Sequence, residues 1–256
     1  MSWIHAVILG IVEGLTEFLP VSSTGHLILS AHVLGLPQTE IMKTFEIAIQ
    51  VGAILAVVLV YWRSFLADFE TFKRVLIAFV PTALIGFILY KLIKKFLFAG
   101  PTTVLISLVI GGIILIIFDR CYRPESAKLK TVHQIPYVIA AGIGLIQALA
   151  VIPGVSRAGA TIVGALCLGT DRKTAVEFSF LLAVPTLTCA TALDMFKSAP
   201  VLGAEEWKLL WIGGIASFFV ALASIRFFLS FIQKRGFTFF GVYRIVLAAL
   251  FWIFVK

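Results

Sequence analysis

Glu13-Gly14-Leu15-Thr16-Glu17-Phe18-Leu19-Pro20-Val21-Ser22-Ser23-Thr24-Gly25-His26 sets carboxylates, hydroxyls and an imidazole between long apolar flanks. Ionisable side chains in such a setting are costly unless they face a cavity or a partner, so the stretch reads as a functional site by default. The 256-residue chain is 61% hydrophobic and 13% charged, with a mean hydropathy of +1.07, far from the composition of a soluble domain. It is an all-α polytopic membrane protein on these grounds. No Lys or Arg precedes Lys43, and Glu13 and Glu17 interrupt the first apolar stretch. A cleaved leader with a basic start does not fit, and Met1 reads as the mature start.

Outward from that stretch, six apolar runs near residues 45–62, 74–92, 101–119, 174–195, 208–229 and 237–255 approach the roughly 20 residues of a full span. Two further segments, about 3–34 and 135–169, are too long for one straight helix and are broken by Pro and Gly, at Pro20 to Gly25 and at Pro153-Gly154 to Gly159. Such breaks are tolerated in a membrane only where the irregular backbone is buried in protein or lines a wet cavity. They predict two re-entrant helical hairpins that meet in the interior.

A shift of 134 positions lays Gly10 on Gly144, Glu13 on Gln147, Ser22 on Ser156, Ser23 on Arg157 and Gly25 on Gly159. The chain therefore divides into a first repeat, 1–119, and a second, 135–256, each with one hairpin and three spans. Three being odd, the copies are inverted, a plan that forms sites where the repeats meet. Twelve Lys and Arg fall on the face opposite the N-terminus and seven on the N-terminal face, which makes the former cytoplasmic and opens the first hairpin outward. Net charge of +8 is spread through short segments between apolar runs. That pattern belongs to topology and anionic lipid contact, and no nucleic-acid partner is expected. Cys121, Cys167 and Cys189 show no metal spacing and read as small apolar fillers.

Glu13 and Glu17 lie one helical turn apart. Paired carboxylates in an apolar wall call for a cation between them, magnesium or calcium by the hardness of the oxygen donors, or for one of them to act as general acid or base. Ser22, Ser23 and Thr24 have the residue types of a helix N-cap, and the positive end of a half-helix starting there suits a phosphate. Either serine is alternatively a nucleophile, with His26 near enough to exchange its proton. Arg157, beside Ser156 in the second break, has no other Lys or Arg for 26 residues before it and 14 after it. Its fork of donors matches phosphate oxygens or, in the structural alternative, an ion pair with Glu13 or Glu17. Arg244 suits backbone carbonyls or a snorkelling position, and Thr186, Thr188 and Thr191 suit bonds between helices.

Glu13-Gly-Leu-Thr-Glu17 leading into Pro-Val-Ser-Ser-Thr-Gly-His26, with Pro-Gly-Val-Ser-Arg157-Ala-Gly-Ala-Thr in the second half, closely resembles the bacterial undecaprenyl-diphosphate phosphatase (bacitracin resistance) family, essentially end to end. The resemblance implies hydrolysis of the C55 diphosphate to the monophosphate and inorganic phosphate, in the bacterial cytoplasmic membrane with an outward-facing site. It implies six spans with two re-entrant hairpins and dependence on a divalent cation. It assigns the glutamate motif to Glu13 and Glu17, the candidate nucleophile to Ser23, the histidine to His26 and the essential arginine to Arg157; the residue types at the two breaks add Ser22, Thr24 and Ser156 as expected phosphate contacts. Attack by Ser23 and direct attack by water both remain open, as do self-association and a rival role as a polyprenyl-phosphate carrier. Binding of the antibiotic itself is the weakest reading.

Overall fold

A computed structural model describes residues 1–66, 68–89, 101–123 and 127–254. All regular structure among them is helical, apart from an isolated bridge between Leu129 and Thr170. The helices are α1 (Trp3–Thr16), α2 (Ser23–Val33), α3 (Glu40–Ala48), α4 (Gln50–Val60), α5 (Trp62–Leu66), α6 (Phe69–Ile88), α7 (Pro101–Cys121), α8 (Tyr137–Gln147), α9 (Arg157–Cys167), α10 (Arg172–Ser198), α11 (Ala204–Arg235) and α12 (Thr238–Phe254).

Polar caps set most of the starts. Ser2, Thr39, Asp68, Ser156 and Asp171 each accept from a backbone N–H in the first turn of the helix that follows. The start of α12 is capped from outside its own segment: Asp119 of α7 accepts from Thr238 N at 3.0 Å and pairs with Arg172 at 2.9 Å.

Five stretches among the described residues are long and apolar enough to cross a membrane: Glu40–Val60, Phe69–Ile88, Thr102–Cys121, Arg172–Ser198 and Ala204–Ile232. They match five of the six expected spans, and the chain is a polytopic all-α membrane protein. The sixth, at 237–255, is a 17-residue helix, shorter than the five. The last residues of the runs at 74–92 and 237–255, with Lys91, Lys94, Lys95 and Lys256, lie outside the described residues.

Both long segments break as expected. The pieces α1, α2, α8 and α9 have 11 to 14 residues, so at 1.5 Å per residue each is about 16–21 Å long. A hydrocarbon layer is about 30 Å thick, so none of them crosses it alone. α1 packs on α2, and α8 on α9.

The remaining contacts come in matched sets. α1 lies on α11 as α8 lies on α6, α4 lies on α11 as α10 lies on α6, and α4 with α10 and α7 with α12 pair across the middle. Small residues allow the closest crossings. A Cβ added to Gly10 would collide with the carbonyl oxygen of Gly213, and one added to Gly144 with that of Ala78. Between the halves lies an aromatic core in which Phe18, from the first break, meets Phe180 of α10 edge-on at 5.2 Å. The three cysteines do not fill that core: Cys121, Cys167 and Cys189 are all on the protein surface. In a membrane protein that surface is itself apolar, so an outward-facing thiol carries no desolvation cost.

Gly10→Ala and Gly144→Ala each push a helix off its neighbour's backbone and should cost about 1–3 kcal/mol. Gly86→Ala, facing open space, should be neutral or slightly stabilising. Thermal unfolding in detergent checks this, and equal behaviour of the three variants would contradict the close crossings.

Candidate active site

The two breaks meet. Ser156 Oγ, which caps α9 by accepting from Gly159 N at 3.0 Å, donates to Leu19 O at 3.3 Å, and the Pro20 side chain stacks close to Gly159. Irregular backbone inside a membrane must find partners for its carbonyls within the protein. Arg244 of α12, only 2% exposed, supplies one in each break. It donates to Pro20 O in the first break (3.2 Å), to Gly154 O in the second (2.9 Å), and to Ser107 O (2.9 Å) and Leu108 O (3.2 Å) of α7. Of the two expectations for Arg244, carbonyl pairing is therefore the one observed.

Ser22 carries the strain of the turn. Its φ of 71° is the one positive value on a non-glycine among the described residues, a conformation that persists only where surrounding structure holds it. Its Oγ accepts from Gly25 N at 3.3 Å, so Ser22 is the cap of α2. Its carbonyl accepts from His26 Nδ1 at 2.8 Å, and His26 Nε2 lies 2.8 Å from Tyr243 Oη, with the two rings stacked. A carbonyl cannot donate, so Nδ1 carries the proton and the Tyr243 hydroxyl faces Nε2. Both His26 nitrogens are thus committed away from Ser23, contrary to the expectation that His26 exchanges its proton. The imidazole instead holds the strained turn.

Ser23 Oγ donates to Glu17 Oε2. The other oxygen of that carboxylate, Oε1, accepts from Arg157 Nη2 at 2.9 Å, and Arg157 Nη1 is anchored on Ser179 O at 2.9 Å. Serine, carboxylate and guanidinium thus form one buried chain built from both breaks. Arg157 Nε is buried without an acceptor. Glu13 is fully buried, and neither of its oxygens has a hydrogen-bond donor.

A cavity of about 180 Å³ adjoins this chain, with Glu17, Ser23, Thr24, Gln50, Gln147 and Arg157 among its walls. α2 and α9 both begin at it, which directs two positive helix ends and their free N–H groups inward. A larger hollow, of about 640 Å³, lies near Trp3, Met42 and Leu209 and holds none of these groups.

Of the expected site residues, Glu17, Ser23, Thr24 and Arg157 line the cavity, and Glu13 and His26 do not. Ser22 and Ser156 line the cavity but spend their hydroxyls on caps. Thr186 and Thr191 do bond between helices, to Gln147 and to Ile47 O. Tyr243, Thr82, Ser179 and the buried Glu46, which accepts from Gln38 at 3.0 Å, carry no local pattern that distinguishes them. Tyr243 is 217 positions from the histidine it touches.

The class is that of a polytopic all-α membrane protein with a cavity at the meeting point of two broken helices, lined by a carboxylate-bound serine and a partly buried arginine, donors of the kind phosphate chemistry uses. The family described as bacitracin resistance protein BacA matches residues 6–250, and the chain belongs to it. Among similar proteins, the undecaprenyl-diphosphatase of Aquifex aeolicus is 50% identical over 96% of both chains. That of Persephonella marina is 49% identical over the full length of both. That of Thermus thermophilus is 48% identical over 99% of this chain and 97% of its own.

Arg244→Leu strips donors from carbonyls of both breaks at once, at about 1–3 kcal/mol for each one left unpaired. Arg244→Lys, a point charge in place of a planar fork, should recover only part of the loss. Unfolding midpoints in detergent that match wild type for Arg244→Leu would contradict the clamp.

Proposed function

We propose that the cavity between the breaks is a diphosphate-cleaving site and that this chain hydrolyses undecaprenyl diphosphate to undecaprenyl phosphate and inorganic phosphate. The reaction returns the lipid carrier to peptidoglycan synthesis and removes the diphosphate form, which accounts for bacitracin resistance. The observation that carries the reading is the Ser23–Glu17–Arg157 chain, with the hydroxyl, its base and a phosphate-seeking cation supplied from two broken helices.

Ser23 Oγ attacks the terminal phosphorus while Glu17, already accepting its hydrogen bond, takes the proton. The bond to the lipid phosphate breaks, and the polyprenyl phosphate takes that proton from Glu17 onto its freed oxygen as it leaves toward the membrane. Arg157 has an unused Nε–H for a phosphate oxygen, and with the starts of α2 and α9 it neutralises charge that phosphoryl transfer spreads over the equatorial oxygens. His26 and Tyr243 act one step back, holding Ser22 and hence the direction of Ser23.

A hard divalent cation, magnesium or calcium, fits the donors present. Glu13 has two buried oxygens without a donor one turn from Glu17, and such ions draw much of their shell from water and phosphate. When bound, the ion supplies charge neutralisation at phosphate.

The same reading extends to the architecture. Two inverted repeats, 1–119 and 135–256, each a re-entrant hairpin with three spans, are supported by the matched helix pairings and by Gly10 and Gly144 in like crossings. Family membership points to a bacterial cytoplasmic membrane, and the distribution of basic residues favours a site open to the outer face.

Phosphate release from C55 diphosphate by purified protein should be lost with chelator. It should fall at least about 10²-fold in Glu17→Ala and Ser23→Ala, the scale of losing a positioned base or nucleophile. Arg157→Ala should lose activity and about 3–5 kcal/mol of stability, because Glu17 is left buried and unpaired. A ³²P label trapped on wild type and absent from Ser23→Ala supports serine attack; turnover that survives in Ser23→Ala transfers the attack to water. No release by folded wild type would favour the carrier reading.

A further inference from the structure

Gln147, the second-repeat counterpart of Glu13, is 1% exposed and forms part of the cavity wall, yet the chemistry above does not use it. Its amide orientation is fixed by its neighbours. Thr82 Oγ1 donates to Gly144 O at 2.7 Å, and Thr186 Oγ1 donates to Leu182 O at 2.8 Å. With their protons spent, both hydroxyls can only accept from Gln147, and they do so from Nε2, at 2.9 and 3.1 Å. The amide oxygen is thereby turned to the other side, buried and without any donor. A buried acceptor in that state costs about 1–3 kcal/mol unless something in the cavity completes it.

The missing partner must carry a hydrogen. At the cavity that already holds Ser23 and Glu17, the reaction itself introduces one such species, the water that ends the cycle. Resting on the reading of this cavity as the phosphatase site, we propose that Gln147 Oε1 positions the hydrolytic water, with Thr82 and Thr186 as the pair that aims it.

In that step the water oxygen bonds to the phosphorus of phosphoserine and the bond to Ser23 Oγ breaks. One water proton passes to Glu17 and on to Oγ. The other stays on the departing phosphate and is the one Gln147 Oε1 accepts. The first repeat thus provides the nucleophile and base, and the second orients the acceptor molecule.

The test is competition between water and a small alcohol. Purified wild type, Gln147→Met and Gln147→Glu are given C55 diphosphate with molar glycerol, and inorganic phosphate and glyceryl phosphate are both measured. Gln147→Met should shift the ratio toward the alcohol by about tenfold, the equivalent of one hydrogen bond, with KM within twofold of wild type. Gln147→Glu, which retains an acceptor oxygen, should recover part of the ratio. Thr82→Val leaves residue 147 in place and should move the ratio the same way by less; it also serves if the Met variant does not fold.

An unchanged ratio in Gln147→Met and Thr82→Val would overturn the proposal. So would a rise in KM alone, which would mean that the amide takes a phosphate hydroxyl instead. Failure of the underlying site reading is seen separately. Ser23→Ala with wild-type turnover removes the serine step but leaves the product ratio meaningful, because a positioned water can attack the terminal phosphorus directly.

Discussion

Backbone carbonyls at the two helix breaks lose their in-helix partners within a membrane-embedded fold, and the rest of the structure follows from how they are satisfied. Arg244 reaches one carbonyl in each break and two on α7, so a single guanidinium fastens both hairpins to the same helix pair. Arg157 adds a bond to Ser179 O and a longer one, 3.4 Å, to Glu17 O. Each arginine is expensive to bury, and each offsets part of that cost by donating to carbonyls of the breaks, Arg244 to Pro20 O and Gly154 O and Arg157 to Glu17 O. Arg157 keeps one N–H without an acceptor.

A matched frame holds an unmatched site. The pairings of α1 with α11 and α8 with α6 repeat one another, and Ser22 and Ser156 cap α2 and α9 in the same way. At the chemically decisive positions the halves differ: Glu13 faces Gln147 under the shift, and Ser23 faces Arg157. Two carboxylates and a hydroxyl come from one side, a guanidinium and an amide from the other. Had both breaks kept the carboxylates, their like charges would have opposed an anionic substrate. The asymmetry gives the cavity opposite poles and a direction.

Among the described residues, Ser22 is the one non-glycine held at positive φ. Ser22 at positive φ turns the chain so that Ser23 begins a helix while its hydroxyl points back to Glu17. The cost is offset by the carbonyl of Ser22, which accepts from both the ring and the backbone N–H of His26. Tyr243, stacked on that ring, links the turn to α12, the helix that carries Arg244.

Hydropathy alone was enough to place the chain in a membrane and to locate its spans, because burial in lipid demands long apolar runs and tolerates few charges. The two breaks were legible as well, since at Pro20 to Gly25 and Pro153 to Gly159 proline and glycine are joined by serines of helix-capping type, a combination that ends one helix and starts the next. So were Glu17, Ser23 and Arg157, as polar groups in a context that excludes them without purpose. Their partners were not legible. That Ser23 bonds to Glu17, that His26 turns to Ser22 and Tyr243, and that Gln147 is aimed by Thr82 and Thr186 all depend on contacts between 4 and 217 positions apart. The order of residues determines which groups must be sheltered; only the packed helices decide which of them meet, because hydrogen bonds act over about 3 Å of space and carry no trace of separation along the chain.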